Sequence, residues 1–511
     1  MSHGIRPMAT AQHDQGTRAP SSEPYCTLSP LMKNLTVLIL SIAATFSGFA
    51  TNIYFPVIPT IAADLSVSIE LINLSVTVYL AFQAIAPILW GAFSDSQGRR
   101  IAYISSFLIF TSGCVGLAKT SHYAQLMVLR CLQSIGSAST IVVGTGILGD
   151  ITTREEIGGY MGYFQAGQML PLAIGPIVGG LFADSLGWRS IFWFLAIYSG
   201  AFIIFLFLLL PETLRSLVGN GSVPTEGISK SPLASFQQRR HRRHPPPRPT
   251  LEMETEPVPS LPSRKQPFSP LGPARILLSL ETTFSLLFVS LCYSMWQMAL
   301  TAISPLFNHN HNLTDSQLGL VFLANGIGCI LGTTSTGKLL NIDYHRIKSN
   351  YTGPPEDFPL EHARLRTAWL WAGMQAASIL VFGWTLDKHV HISVPIITTF
   401  ILGWTTTSIQ CVVFTFLVDV YPERGATATA ALNLIRCLLG GGGAAVVFPI
   451  INRIGAGWTF TLLAGILVGG LGLLAVQVMY GPRWRSGGLA VQRAGGSGGC
   501  DLAEGLRGLR G

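Results

Sequence analysis

Twelve apolar runs, each near the ~20 residues a helix needs to cross a bilayer, punctuate this chain of 511 residues. They fall at Leu35–Pro56, Leu71–Phe93, Ile101–Leu117, Leu126–Leu148, Gly158–Phe182 and Ile191–Leu210, then at Phe284–Pro305, Leu318–Leu340, Ala368–Trp384, Val394–Leu417, Ala426–Ile451 and Trp458–Tyr480. Lipid offers no partner to open backbone groups, so the runs predict helices and not strands. Short polar turns join them, except after the sixth, where a long polar segment intervenes. The expected architecture is an all-α membrane protein of twelve transmembrane helices in two pseudo-symmetric six-helix lobes. The expected organisation is a disordered cytoplasmic N-terminus (1–32), a first lobe (33–213), a disordered linker (214–275), a second lobe (276–480) and a disordered tail (481–511).

Composition agrees with that pattern. Hydrophobic residues make up 49% and charged residues 11% of the chain, against roughly 25% charged in soluble domains, and the mean hydropathy is +0.45. The net charge of +8 does not mark a nucleic-acid partner, because its distribution follows topology. With both termini cytoplasmic, the inner turns hold Arg99, Arg100, Arg154, Arg346, Lys348, Arg364, Arg366 and Arg424 beside the basic linker. The outer turns hold little beyond Lys119, Arg189, Lys388 and Arg453, which is the positive-inside distribution. Most of the eight cysteines sit inside runs without metal-ligand spacing and read as small apolar fillers. No metal site, catalytic site or cofactor is expected, and residues 1–30 show no cleavable signal peptide.

The linker carries Arg239-Arg240-His241-Arg242-Arg243-His244 and then Pro245, Pro246 and Pro247, a composition that cannot build a core. The tail from Gly481 is rich in glycine and arginine and is read the same way. Asn312-Leu-Thr314, in an expected outer turn, is a possible glycosylation site.

The two halves echo each other. Gly91…Asp95…Arg100 after the second run matches Gly337…Asn341…Arg346 after the eighth. Asp150 and Arg154 after the fourth run match Asp419 and Arg424 after the tenth. A six-span internal repeat is the mark of a two-lobed transporter with its substrate between the lobes.

The turn Gly91-Ala-Phe-Ser-Asp95-Ser-Gln-Gly98-Arg99-Arg100 packs glycines, an acid and two arginines between adjacent spans. Gly91 and Gly98 allow close approach and a tight turn. Asp95 is placed to accept hydrogen bonds from a helix N-terminus, and Arg99 and Arg100 to anchor the cytoplasmic face. The stretch resembles the G-x-L-x-D-x-x-G-R-R loop between helices two and three of major facilitator transporters.

Arg130 lies within the fourth run, three residues before Gln133. A cation there costs roughly 2.5–3.5 kcal/mol on insertion scales and must face a cavity or a partner. Arg130-Cys-Leu-Gln133-Ser134-Ile-Gly136 resembles the family's R-x-x-Q-G-x-G motif, with Ser134 at the first glycine. Gly175-Pro176-Ile-Val-Gly179-Gly180 resembles the G-P-x-x-G-G motif that marks antiporters within the superfamily. Its glycines allow helix contact and its proline bends the helix.

Asn52-Ile-Tyr54-Phe-Pro56, Phe82-Gln83-Ala-Ile-Ala-Pro87, Phe358-Pro-Leu-Glu361-His-Ala-Arg364-Leu-Arg366 and Asn433-Leu-Ile-Arg436-Cys-Leu-Leu-Gly440 resemble the quinidine-resistance-type branch of the fungal twelve-spanner drug:proton antiporters. The resemblance covers roughly residues 33–480. It implies that the first, fourth, seventh and tenth helices line a cavity and that the second, fifth, eighth and eleventh pair between the lobes. The polar residues Asn52, Tyr54, Gln83, Gln165, Gln168, Tyr293, Trp296 and Gln297 within the spans are candidates for the cavity, each equally suited to helix–helix hydrogen bonding. Arg130, Gln133, Asn433 and Arg436 are candidates for coupling or for the cavity. Asn433 and Arg436 lie three residues apart and share a helix face.

The resemblance implies a proton-coupled antiporter exporting small organic molecules such as drugs, toxins or secondary metabolites, powered by the proton gradient. Two buried arginines without a mid-span carboxylate also suit an organic-acid exporter of the citrate type. The expected setting is a monomer in the plasma membrane, with the vacuolar membrane as the alternative, and with lipid and a small-molecule substrate as its partners. No nucleophile–base pair lies in the spans, so an enzyme is not expected.

Overall fold

A computed structural model describes residues 26, 28–153, 156–219, 276–280, 282–311, 313–351, 359–388, 390–421 and 425–495. Among them it contains twelve helices long and apolar enough to cross a membrane. The first six are Pro30–Asn52, Ile69–Gln97, Arg99–Ala118, Tyr123–Ile151, Ile157–Leu186 and Arg189–Leu209. The second six are Thr283–His311, Asp315–Asn350, Ala368–Asp387, Ser393–Val420, Gly425–Ile454 and Ala456–Gly495. They are called spans one to twelve below.

Local chemistry sets where these helices begin and turn. The Ser29 side chain accepts from the Met32 N–H and Ser68 from Leu71, each satisfying a donor that a helix start leaves open. Span eight opens on a full capping box, Thr314 with Gln317. Gly187 (φ +81°) joins spans five and six, and Gly455 (φ +82°) joins spans eleven and twelve. The same left-handed glycine thus stands at the same turn of each lobe, where a side chain would be strained.

Packing repeats with the same symmetry. Span one packs on five, two on four, three on four and three on six. In the second half seven packs on eleven, eight on ten, nine on ten and nine on twelve. Between lobes, five meets eight and eleven meets two. Buried aromatics fill the first lobe around Phe46, whose ring stacks on Tyr198 at 4.3 Å and meets Phe107 edge-on at 4.9 Å. Many large apolar side chains remain exposed on the outside, Ile197 and Val128 among them, as suits a lipid-facing surface.

The structure differs from the sequence expectation at three places. Gly337…Arg346 forms no turn resembling Gly91…Arg100: span eight continues as helix through it to Asn350, because residues 338–350 contain neither glycine nor proline to stop it. Span twelve runs on past Tyr480 to Gly495, so the first part of the expected disordered tail is helical; extending an existing helix costs far less than starting one. At the start of the expected linker, Arg215–Val218 forms a single helical turn. The rest of the linker (220–275), residues 1–25, the remainder of the tail and Asn312 lie outside the described residues.

Candidate functional site

A cavity of about 120 Å³ lies between the lobes. Span one and the turn that follows it contribute Ser47, Thr51, Asn52 and Phe55, span two Gln83, and span five Gln168 and Met169. From the second lobe come Tyr293, Trp296 and Gln297 of span seven, Thr407 and Gln410 of span ten, and Arg436 of span eleven. The lining among the described residues is aromatic and amide-rich, holds one cation and contains no carboxylate.

Arg436 sits at the centre of a hydrogen-bonded chain. Its Nη1 donates to Gln410 Oε1 (2.9 Å) and its Nη2 to Asn433 Oδ1 (2.8 Å). The guanidinium lies 4.8 Å from the centroid of the Tyr293 ring, an attraction of about 0.5–2 kcal/mol. The Arg436 Nε donor and the nearby Gln297 Nε2 donor are buried without an acceptor in the protein. Buried donors without partners cost about 1–3 kcal/mol each.

Arg130, whose Nε is likewise buried without an acceptor, is enclosed within the first lobe. It is fully buried, with its guanidinium 4.2 Å from the Tyr54 ring centroid and 4.4 Å from that of Tyr79. Its Nη1 donates to the Ala50 carbonyl (3.1 Å) and to Gln133 Oε1 (2.7 Å). Two aromatic faces, a carbonyl and an amide stand in for a counter-ion, which answers the cost of a cation in a span. Arg130, Gln133 and Tyr54 are packed inside the first lobe and do not line the cavity in this conformation. Gln165 is half-buried and also lies off the cavity. Asn52, Gln83, Gln168, Tyr293, Trp296, Gln297 and Arg436 line it together.

At one end of the bundle, called the Arg99 end, the Gly91–Arg100 turn is knit into the first lobe. Arg99 pairs with Asp95 (2.6 Å) and with Asp150 (3.0 Å). Arg364 pairs with Asp419 (2.7 Å), so Asp150 and Asp419 keep matching roles, each holding an arginine. The acceptor at the start of span three is not Asp95 but Glu212: its carboxylate receives the Arg99 N–H (2.9 Å) and the Arg100 N–H (3.2 Å). An anion at a helix N-terminus is favoured by the open donors and the dipole there. Arg100 does not anchor the surface. It is buried, donating to the Leu210 and Phe207 carbonyls where span six ends and leaves carbonyls free.

Gly98 makes this arrangement possible. It holds φ +113°, and an added Cβ would come within 2.6 Å of Glu212 Oε2. Gly98→Ala combines backbone strain with displacement of that carboxylate. Surface abundance is expected to fall severalfold, checked by thermal unfolding of the detergent-solubilised protein; an unchanged unfolding temperature would show that the turn yields freely.

Toward the opposite end, called the Asp315 end, the lobes are sealed. Thr60 Oγ1 donates to Asp315 (2.6 Å), the Ser316 N–H to Asp184 (2.9 Å), Ser304 to the Phe55 carbonyl (2.7 Å) and Asn452 to Glu70 (2.7 Å). The Gly175–Gly180 motif reaches this seal at Gly180, while Gly175 and Gly179 pack on Asn52 and Ile53 within the first lobe. A Cβ on Gly179 would stand 2.2 Å from the Ile53 carbonyl oxygen, and one on Gly180 2.2 Å from that of Asp315. Pro171 and Pro176 are both accommodated inside a continuous span five. On the same pair of helices nearer the Arg99 end, Gly159, Gly162 and Gly337 border open space.

Glu212, Gln410, Thr407, Ser47 and Thr51 were not singled out from the sequence. Gln410 is a lone amide in an otherwise apolar and threonine-rich run and carries the same signal as Gln83. Glu212 had no such signal, because its role depends on where span six ends relative to span three.

Comparisons with known proteins agree with this architecture. The family model described as Major Facilitator Superfamily matches residues 40–445. "Citrate exporter 1" of Aspergillus niger is 36% identical over 91% of this chain and 90% of that protein. "MFS antiporter QDR2" of Candida albicans is 33% identical over 87% of this chain and 88% of that protein. A crystal structure of a D-xylose-proton symporter superposes with TM-score 0.59 and 14% identity, over 86% of this chain and 96% of that one.

Proposed function

The chain belongs to the major facilitator superfamily, and we propose that it is a proton-coupled exporter whose cavity favours small, oxygen-rich organic anions. The observation that carries the cargo reading is the pair of buried donors, Arg436 Nε and Gln297 Nε2, without acceptors in a cavity whose only charged lining residue, among those described, is Arg436. A carboxylate would take up both and match the planar guanidinium. A cationic drug would meet Arg436 with no acid beside it. The likeness to a protein named Citrate exporter 1 supports the anionic reading, and the likeness to one named MFS antiporter QDR2 supports antiport.

Transport by this reading is alternating exposure of one site by rocking of the lobes. The basic residues at the Arg99 end support a cytoplasmic position for it; on that reading the seal at the Asp315 end belongs to an inward-facing form, ready to load cargo from the cell. Protons returning down their gradient drive the reverse swing, with no cofactor. The plasma membrane and a monomeric state fit the reading.

The test is efflux from cells loaded with a panel containing citrate and quinidine, at outer pH 5 and pH 8. Three pH units supply about 4 kcal/mol per proton, so citrate efflux is expected to be several times faster at pH 5 and to collapse with a protonophore. Efflux indifferent to both would remove proton coupling, and preference for quinidine would reverse the cargo reading.

A further inference from the structure

Span two contains Pro87, buried inside the helix. Proline has no N–H, so the carbonyl four residues earlier, that of Gln83, loses its helical partner. The partner it has instead comes from the other lobe: Asn433 Nδ2 of span eleven donates to it at 3.1 Å. The other atom of the same amide, Asn433 Oδ1, accepts from Arg436 Nη2. Arg436 therefore fixes which way the Asn433 amide faces, and so aims its nitrogen at the carbonyl that Pro87 leaves open. Along the same seam, nearer the Asp315 end, Thr77 donates to the Gly441 carbonyl at 3.0 Å and Asn452 to Glu70. The Gln83–Asn433 bond is the innermost of these links, at the wall of the cavity.

We propose that the Gln83 carbonyl freed by Pro87, held by the Asn433 amide, is a tie between the lobes that keeps the Asp315-end seam shut while Arg436 is unoccupied. An anion drawing Arg436 Nη2 to itself leaves Asn433 Oδ1 with only the weak Cys437 S–H donor at 3.5 Å, the amide can turn, and the seam loses its innermost bond. Loading of cargo and opening of the far side are thereby linked through one side chain. The link to cargo rests on the reading that Arg436 receives an anion; the tie itself does not.

Leu300 lines the cavity and is 1% exposed. A cysteine there reports opening of the Asp315 end by reaction with a membrane-impermeant maleimide added outside intact cells, against the same chain without that cysteine as background. Pro87→Ala restores an N–H to the Gln83 carbonyl inside its own helix and leaves Asn433 and Arg436 in place. Asn433→Asp keeps an acceptor for Arg436 and removes the donor. Both are expected to raise labelling without cargo about fivefold, per protein in the membrane, which corresponds to about 1 kcal/mol where tenfold is 1.4. Pro87→Val, which restores the same N–H, stands in should the alanine variant not reach the membrane. Unchanged labelling in both variants overturns the tie. A rise in only one also overturns it, since a straightened helix or a disturbed Arg436 would then account for the result. Citrate, as the probe cargo, should raise labelling in the chain that retains Pro87 and Asn433. If citrate does nothing there while both variants open, the tie stands and the anionic-cargo reading fails.

Discussion

Replacing Arg436 by glutamine is expected to lower citrate export at subsaturating concentration by about 100-fold, with membrane abundance near that of the parent. Two charge-assisted hydrogen bonds to a carboxylate contribute roughly 1.5–3 kcal/mol each, and 100-fold is about 2.7 kcal/mol. Gln410 and Asn433, which now receive Arg436 at 2.9 and 2.8 Å, are amides that can pair with glutamine, so the local packing survives. Arg436→Lys keeps the charge and loses the planar fork; its expected loss is about tenfold, seen mostly in apparent affinity. Initial rates in inside-out vesicles with labelled citrate, over a concentration series, separate the two. Equal affinity in the parent and both variants would show that Arg436 holds protein and not cargo.

A second large effect is expected at the seam. Gly180→Val introduces a branched side chain where even a Cβ would stand 2.2 Å from the Asp315 carbonyl oxygen and 2.8 Å from the Ser316 Cα. Neither neighbour is a flexible side chain, so the lobes cannot close at this end. Export is expected to fall below a tenth of the parent value, while labelling of a Leu300 cysteine from outside rises and no longer depends on cargo. The substitution faces the other lobe and not the interior of its own, so the first lobe should fold and insert. Normal export by Gly180→Val would mean that the seal is not part of the cycle. Asp184 and Asp315 lie beside this contact and bridge the same seam through Ser316 and Thr60.

Much of the architecture was legible along the chain because the bilayer imposes it. A span must be about as long as the hydrocarbon is thick and must satisfy its own backbone, so apolar runs announce helices wherever they fold. The exceptions follow the same physics. Span eight runs through Gly337 because a glycine in a helix is tolerated unless the backbone is turned there, whereas Gly98 is held at φ +113° by its neighbours. Span twelve outlasts its apolar run because helix propagation does not need lipid.

The cavity was partly legible. A polar side chain in a span is expensive wherever it lies, so Asn52, Gln83, Gln168, Tyr293, Trp296, Gln297 and Arg436 could be named before any geometry, but only together with Tyr54, Gln165, Arg130, Gln133 and Asn433, which do not line the cavity. The same cost does not say whether the partner is protein or cargo. Arg130 and Arg436 read alike in sequence, each with an amide three residues away. Only packing separates them: Tyr54 and Tyr79 close over Arg130 inside the first lobe, while Arg436 lines the cavity. Sequence by itself determined twelve helices, two matching halves and a short roster of costly polar groups, since each follows from the composition of one segment in one solvent. Tertiary structure alone decided that Glu212 and not Asp95 caps span three, that the Pro87-freed carbonyl meets Asn433, and that Gly180 meets Asp315. These are contacts between segments far apart in the chain, and no local propensity encodes the distance between them.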